Sequence, residues 1–310
     1  MAIAVEKVFG SLLGLVLADA LGARFEGLQR DLLQARFDNK TEAFEYAMQR
    51  ESLRYTDDGQ MALVIAEYLA ENRDINSTHL MQCFVDAYES WRGYGRGARV
   101  LIEAFRDNAD YEHMAEHLFP GGSLGNGAAM RSAPVGLRFT GDNETLWKAA
   151  KLSAWPTHRH ELGIEGAQLI AGATAFAATQ NDITPARLAA HLLPSCTTIV
   201  FQNRVTRLAQ AETDEDISQF GNGIEAHESV VTALACFALY PQDYRSAIAA
   251  AIWQGGDTDT IAAMTGALVG AHIGSDFAAT MQSTLDRLEQ GTEFIAYLEA
   301  LSKRLAAAAL

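Results

Sequence analysis

The sequence predicts an all-α protein, a compact orthogonal arrangement of many helices that forms a single domain over residues 1–310. Three observations predict this fold class. Almost every long segment repeats its apolar residues with a period near 3.6, and almost none alternates with a period of two. Many of these segments are rich in alanine, which suits closely packed helices. No glycine- or serine-rich linker divides the chain, and 49% of its residues are hydrophobic, so one large core is expected.

The first predicted element is an apolar run at residues 8–18. Its apolar residues fall at helical spacing and Glu6 and Asp19 flank it, which favours a core helix over a secretion signal. The other predicted helices span residues 61–70, 78–91, 145–154, 164–178, 227–239, 244–253, 258–272, 277–288 and 293–308. Irregular segments separate them at 22–53, 93–97, 119–127, 157–160, 221–223 and 255–259. Loops on a rigid scaffold are where chemistry is usually placed.

The net charge and the cysteines of the chain limit which partners and which cellular compartment are expected. The 24 Lys and Arg residues against 39 Asp and Glu give a net charge of -15, which argues against nucleic-acid and membrane partners but allows a small anionic substrate. No segment reaches the roughly 20 apolar residues of a membrane span. Cys83, Cys196 and Cys236 are scattered and unpaired in sequence, as in a reducing compartment. We therefore expect a cytoplasmic protein, and a monomer.

Two acidic loops resemble each other. Residues 55–58 read Tyr-Thr-Asp-Asp and residues 255–260 read Gly-Gly-Asp-Thr-Asp-Thr, each just before a predicted helix. Helix capping would explain one aspartate in each loop. Two crowded carboxylates repel each other unless a cation lies between them, and such oxygen ligands suit Mg²⁺ or Mn²⁺ rather than zinc. Four carboxylates would match the charge of two divalent ions.

A glycine-rich loop, Gly-Gly-Ser-Leu-Gly-Asn-Gly at residues 121–127, can bring several backbone N–H groups to an anion. It matches neither a P-loop nor a dinucleotide fingerprint, and an ordinary tight connection explains it equally well.

Other candidate functional residues give weaker signals. We interpret His113 and His117 as a solvated helix face rather than a zinc site, and Arg92, Arg96 and Arg99 as surface charge.

In this order, the motifs resemble those of the ADP-ribosylglycohydrolases, from residue 10 to about residue 274. The matching segments are residues 14–15, 19–22, 25–26, 55–58, 125–127, 130–131 and 255–260. The resemblance implies an all-α fold with a dinuclear metal centre in a cleft. It implies two Mg²⁺ ions, with Mn²⁺ as the alternative, and the ligands Thr56, Asp57, Asp58, Asp257, Asp259 and Thr260.

The resemblance also implies roles for other residues. The catalytic residues would be Glu26, Asp57, Asp58 and Asp257. Glu26 would lie on a flap formed by residues 22–53. The substrate would be bound by a set of residues that includes the glycine-rich loop, namely Gly122, Ser123, Leu124, Gly125, Asn126, His158, Phe119 and Ile224. Within this set, the loop would hold the pyrophosphate and Phe119 would stack on adenine. Leu124 replaces a tyrosine of the family, which would weaken the adenine contact by about 1 kcal/mol.

The function implied is metal-dependent hydrolysis of the bond between ADP-ribose and an acceptor, either a protein or a small conjugate. Loops at residues 92–97, 121–127, 157–158 and 221–224 resemble the ADP-ribosylhydrolase 3 subtype. That subtype cleaves O-linked ADP-ribose, such as serine linkages, poly(ADP-ribose) or O-acetyl-ADP-ribose. Three alternatives remain: an arginine-specific hydrolase of N-linked ADP-ribose, a non-catalytic ADP-ribose-binding protein, and a metal hydrolase of an unrelated nucleotide.

Overall fold

The chain folds into helices, as the computed structural model shows for the residues that it describes, 3–309. The first helices are α1 (Val5–Gly22), α2 (Arg30–Arg36), α3 (Lys40–Met48), α4 (Asp57–Glu71), α5 (Ser77–Ala87), α6 (Arg96–Arg106), α7 (Tyr111–His117), α8 (Ala133–Arg138), α9 (Asn143–Ala154) and α10 (Glu161–Thr179). They are followed by α11 (Pro185–Leu192), α12 (Ile199–Leu208), α13 (Asp214–Ser218), α14 (Ala226–Leu239), α15 (Tyr244–Trp253), α16 (Thr258–Ile273), α17 (Phe277–Thr280), α18 (Gln282–Leu285) and α19 (Gly291–Ala308).

Within residues 3–309 the only β-type pairing is two isolated bridges, one between Leu53 and Leu288 and one between Gly125 and Glu225. The predicted all-α fold class is therefore confirmed. None of the helices described is long and apolar enough to cross a membrane.

Helices α1 and α16 form the centre of the molecule and pack closely along their lengths. A side chain at Gly14 would overlap the carbonyl of Gly266, so the two backbones approach closely only because both positions are glycine. At the end of α1, a Cβ on Gly22 would lie 2.8 Å from the Cα of Asp259. This crossing fixes the end of α1 beside the start of α16, where the second acidic loop begins.

Some predicted boundaries were wrong. Residues 22–53 are not irregular throughout, since α2 and α3 lie within them, and α5 ends at Ala87 instead of continuing to residue 91. The predicted helix at 277–288 is broken at Met281 into α17 and α18. The start of helix α6 falls in the predicted loop at 93–97, because Gly95 and Gly97 are typical of loops; Gly95 is in fact the residue that precedes the helix, and Gly97 is its second residue. Short helices such as α2, which buries only Leu33, carry too few apolar residues to show a period.

Candidate active site

The two acidic loops open onto one cavity of about 360 Å³, although some 200 residues separate them in sequence. The lining contains most of the residues predicted for the site: Glu26, Asp57, Asp58, Phe119, Ser123, Gly125, Asn126, His158, Ile224, Asp257, Asp259 and Thr260. Three predicted residues are not in the lining. Thr56 lies just behind it, and Gly122 and Leu124 belong to the glycine-rich loop but pack away from the cavity.

The carboxylates that line the cavity, together with Asp19 buried beneath them, form two groups that share Asp259. In the first, oxygens of Asp19, Asp58 and Asp259 all lie within 4.8 Å of one another; in the second, those of Glu26, Asp257 and Asp259 do so. One carboxylate oxygen of Asp58, Oδ1, is buried and has no hydrogen-bond partner among the described residues. Crowded carboxylates and an unpartnered buried oxygen are what a site for hard divalent cations requires. The residues present therefore fit metal ions.

Burial and mutual repulsion disfavour ionisation of these carboxylates. Burial, followed by the charge of Asp259, raises the pKa of Asp57 to about 7 and that of Asp257 to about 8. The same causes raise the pKa values of Asp58 and Asp19 well above the usual range. Bound cations would offset this repulsion and keep the carboxylates ionised at neutral pH.

The first acidic loop is organised by Asp19, which the sequence analysis had not placed among the site residues. Its carboxylate accepts hydrogen bonds from the backbone N–H groups of Thr56 and Gly59, both at 2.9 Å. The hydroxyl of Thr56 lies 2.9 Å from Asp19 and 3.0 Å from Asp58, and it also accepts the N–H of Asp58 as a helix cap. Capping and the gathering of carboxylates thus use the same residues.

The second acidic loop is held by amides and carbonyls. The side-chain amide of Asn126 donates to the carboxylate of Asp257 and, at 2.9 Å, to the hydroxyl of Ser229. The backbone N–H of Asp257 donates to the carbonyl of Asn222 at 2.9 Å. Asn126 therefore links the glycine-rich loop directly to the second acidic loop. Asn222, in the Gly-Asn-Gly turn at residues 221–223, binds the backbone of the same acidic loop.

Glu26, on the segment that follows α1, lines the cavity and is exposed to solvent, so it lies where the cavity opens. The next two residues pair with the second acidic loop: Gly27 donates to the carbonyl of Gly256, and Gly256 donates to that of Leu28, both at 2.9 Å. Glu26 is exposed to solvent on one side, yet partial burial and a hydrogen bond with Asp259 raise its pKa to about 10. The pairing places a carboxyl group beside the shared aspartate.

The glycine-rich loop is fixed by its neighbours. Asn126 donates its backbone N–H to the carbonyl of Ile224 at 2.9 Å, and Leu124 accepts from the N–H of Ala226 at 3.0 Å. Gly122 adopts a φ of +89°, and a Cβ there would lie 2.6 Å from the backbone nitrogen of His160, so no other residue fits. Gly122 and Leu124 thus shape the loop, while Ser123 and Gly125 face the cavity.

His158 and Arg131 form a buried polar pair next to this loop. The hydroxyl of Thr157 accepts from the Arg131 guanidinium at 2.9 Å and lies 2.8 Å from Nδ1 of His158. Burial and the charge of Arg131 lower the pKa of His158 to about 3, so the imidazole is neutral. Arg131 is fully buried and lies in the cavity wall. The only sequence signal for this position was that Arg131 follows Met130 in the family motif.

Phe119 also lines the cavity, and its ring packs on Gly97, where a Cβ would lie 2.8 Å away. Arg96 lines the cavity and is exposed, and Arg99 is exposed outside the lining. The interpretation of Arg92 as surface charge was wrong, because its side chain is only 4% exposed. His113 and His117 lie on an exposed face, and no metal-binding group of the described residues includes them.

Several known proteins are similar to this chain in sequence, and one solved structure has a similar fold. A family model described as ADP-ribosylglycohydrolase matches residues 2–309. The protein named ADP-ribosylhydrolase ARH3 from Xenopus tropicalis is 31% identical over 316 residues, with 89% of each chain covered. The one from Danio rerio is 32% identical over 310 residues, covering 86% of this chain and 82% of its own. A solved structure titled "ADP-ribosylglycohydrolase-related protein complex" has the same fold, with a TM-score of 0.73, 23% identity and 99% of each chain covered.

Proposed function

Because the chain belongs to the ADP-ribosylglycohydrolase family and is a hydrolase, we propose that it releases ADP-ribose from an oxygen-linked acceptor in a reaction that depends on two Mg²⁺ ions. One observation carries the proposal: carboxylates of two clusters that share Asp259 line the same cavity as a glycine-rich loop. The O-linkage rests on the subtype motifs and on the similarity to several proteins named ADP-ribosylhydrolase ARH3.

The residues that would hold the ions are those of the two acidic loops, Thr56, Asp57, Asp58, Asp257, Asp259 and Thr260. When bound, two Mg²⁺ or Mn²⁺ ions would orient the ribose hydroxyls and lower the pKa of a water molecule. The side chains of Asp19 and Asn126 form hydrogen bonds to the acidic loops, which would limit the reorganisation that accompanies the reaction.

The bond that breaks joins the anomeric carbon of the ribose to the acceptor oxygen, and its transition state resembles an oxocarbenium ion, as in other glycosidic cleavages. A proton must reach the leaving oxygen, and another must leave the attacking water. Glu26 is the carboxyl group at the mouth of the cavity, where the acceptor would leave. We assign one of these two proton transfers to Glu26.

The rest of the cavity would bind the ADP part of the substrate. Backbone N–H groups near Ser123 and Gly125 can donate to the diphosphate, since an anion needs donors and not necessarily a positive side chain. Neutral His158 lies beside the loop and can donate or accept a hydrogen bond without adding charge. Phe119 would stack on adenine from one side.

The test uses two peptides, one ADP-ribosylated on serine and one on arginine, each incubated with the protein and Mg²⁺ in the presence or absence of EDTA. Released ADP-ribose is measured by mass spectrometry. We expect EDTA-sensitive release from the serine peptide only. Release from arginine alone would replace the O-linkage by the N-linked alternative. Tight binding of ADP-ribose without release from either peptide would indicate a non-catalytic binding protein.

A further inference from the structure

The peptide group on each side of Tyr55 is held by charged side chains just before the first acidic loop. Glu289 accepts the backbone N–H of Tyr55 at 3.2 Å, and the guanidinium of Arg92 donates to the Tyr55 carbonyl at 2.7 Å. Arg92 also donates to Glu289 at 2.8 Å, and its guanidinium stacks 3.9 Å from the centre of the Tyr55 ring. Both backbone polar groups of the residue that precedes Thr56 are therefore fixed by a single ion pair.

This ion pair is largely buried, with 4% of the Arg92 side chain and 14% of the Glu289 side chain exposed. A buried ion pair is seldom more stabilising than apolar residues of the same size, because both charges lose their hydration. Fold stability alone is thus a weak reason for placing it here. What an apolar pair could not supply is the two directed hydrogen bonds to the Tyr55 backbone.

Glu289 reaches Tyr55 because the segment between α18 and α19 runs alongside the segment before α4. Leu53 donates its N–H to the carbonyl of Arg287, and Glu289 donates its own N–H to the carbonyl of Leu53, both at 2.9 Å. Tyr55 itself stacks on Phe294 of α19 with ring centres 5.3 Å apart. The C-terminal part of the chain is therefore in direct contact with the backbone that leads into the acidic loop.

Arg92 also connects this backbone to the cavity wall. It donates to Glu89 at 2.6 Å, and Glu89 accepts at 3.0 Å from Gln60, which lies in the first turn of α4 with Asp57 and Asp58. Gly93, the next residue after Arg92, lines the cavity with a φ of +92°, and a Cβ on it would lie 3.8 Å from a carboxylate oxygen of Asp57. A shift of Arg92 would therefore move both the first acidic loop and the cavity wall at Gly93.

We propose that Arg92 and Glu289 are positioning residues, a clamp on the backbone of Tyr55 that sets the first acidic loop for cation binding and turnover. The clamp rests on the proposed function for the identity of the cation and the substrate. The clamp acts through Thr56, Asp57 and Asp58, and neither Arg92 nor Glu289 would contact the cation or the substrate. Supporting groups of this kind alter metal affinity by about 10- to 100-fold when they are removed.

The variants are Arg92→Met, Arg92→Lys and Glu289→Gln, with Arg304→Met as the matched control. Arg304 pairs with Glu71 at 2.6 Å and so also joins α19 to α4, but on the exposed surface and away from Tyr55. Folding is checked by circular dichroism. Mn²⁺ affinity is measured by the electron paramagnetic resonance signal of the free ion, without substrate, and amide hydrogen exchange is followed in the peptide that covers residues 54–60.

We expect Arg92→Met to fold, to weaken Mn²⁺ binding at least about tenfold, and to speed exchange in residues 54–60. Arg92→Lys, which keeps a donor for the Tyr55 carbonyl, should recover part of the affinity, and Arg304→Met should change neither measurement. Unchanged exchange and Mn²⁺ affinity in folded Arg92→Met, or equal losses in Arg304→Met, would overturn the clamp. If the wild type bound no Mn²⁺, the proposed metal centre would be wrong, and the exchange result alone would decide the clamp.

Discussion

The two acidic loops present similar residues at the start of a helix, but the molecule supports them in different ways. The first loop is held by charged groups, the buried carboxylate of Asp19 and the ion pair of Arg92 with Glu289. The second is held by neutral groups, the side-chain amide of Asn126 and the backbone carbonyl of Asn222. The cavity is thus bounded by one loop fixed through charge and another fixed through amides and close packing.

Glycine is what allows the second kind of support. Gly256 has a φ of +70°, and a Cβ there would lie 2.2 Å from the backbone carbonyl oxygen of Asn222, which accepts the N–H of Asp257. No comparable approach exists at the first loop, where a Cβ on Gly59 would lie 3.0 Å from Asp19 and from the Tyr55 ring. Charge changes should therefore damage the first loop most, and added volume should damage the second.

The largest effect is expected where the two loops meet, at Asp259. Its carboxylate belongs to both groups of clustered carboxylate oxygens, so Asp259→Asn should disturb both proposed cation sites at once. We expect turnover to fall at least about 1000-fold and the number of bound Mn²⁺ ions to drop below two, as measured by equilibrium binding. Asp276→Asn, at an exposed aspartate, is the control. Two ions still bound at wild-type affinity would remove Asp259 from the ligands.

Glu26 is expected to differ from the aspartates of both loops. If it moves a proton, Glu26→Gln should lower kcat by about 100- to 10,000-fold and leave Mn²⁺ affinity within a few-fold of the wild type. The two quantities are measured on the same preparation. Activity that survives intact would exclude a proton-transfer role, and loss of an ion would place Glu26 among the ligands instead.

Asp19 and Gly256 test the difference between the loops directly. In protein loaded with Mn²⁺, where the Asp19 carboxylate is ionised, Asp19→Asn removes the charge that accepts two backbone N–H groups, so we expect it to cost about 1.5–3 kcal/mol of unfolding free energy and to weaken Mn²⁺ binding. Gly256→Ala should cost about 1–3 kcal/mol through strain and overlap. The rate of amide hydrogen exchange should increase most in residues 54–60 for Asp19→Asn and in residues 255–260 for Gly256→Ala. Identical exchange patterns would show that the two loops are not supported separately.

The smallest effect is expected in the pH dependence of metal-free protein. Because burial and Asp259 raise the pKa values of Asp57 to about 7 and Asp257 to about 8, the folded state holds protons that the unfolded chain releases above about pH 4. In EDTA the free energy of unfolding should therefore fall as the pH rises from about 4 to about 8.

Mg²⁺ competes with these protons, so the increase in Tm that it produces should be larger at pH 8.5 than at pH 6. Thermal unfolding at both pH values, with EDTA or with Mg²⁺, measures the effect. An increase of the same size at both would mean that the carboxylates are already ionised without metal.

The sequence predicted the fold class and the contents of the acidic loops well, because periodicity and short motifs are local properties. The helix at residues 244–253 is found with the predicted bounds. The pairing of the two loops followed only from their likeness and from the family motifs. Nothing local indicates that α1 and α16 cross at Gly14 and Gly266, which is what brings the loops together.

The residues that the sequence analysis missed are those that act through partners distant in the chain. Arg92 lies in a polar, glycine-containing stretch, a pattern typical of surface charge, and its partner Glu289 is 197 residues away. Asp19 did give a signal, since it is a charged residue in an apolar helix, but the sequence could not show that it accepts from Thr56 and Gly59. Ligand types can thus be predicted from sequence more readily than the groups that hold them.

The central claim is that both loops bind cations together, and a crystal structure with Mn²⁺, recorded at a wavelength that gives Mn²⁺ an anomalous signal, tests it most directly. We predict two anomalous peaks in the cavity, with Asp259 contacting both ions and the remaining ligands divided between the two loops. A single ion held by one loop alone, or no peak at an Mn²⁺ concentration that supports turnover, would contradict the account.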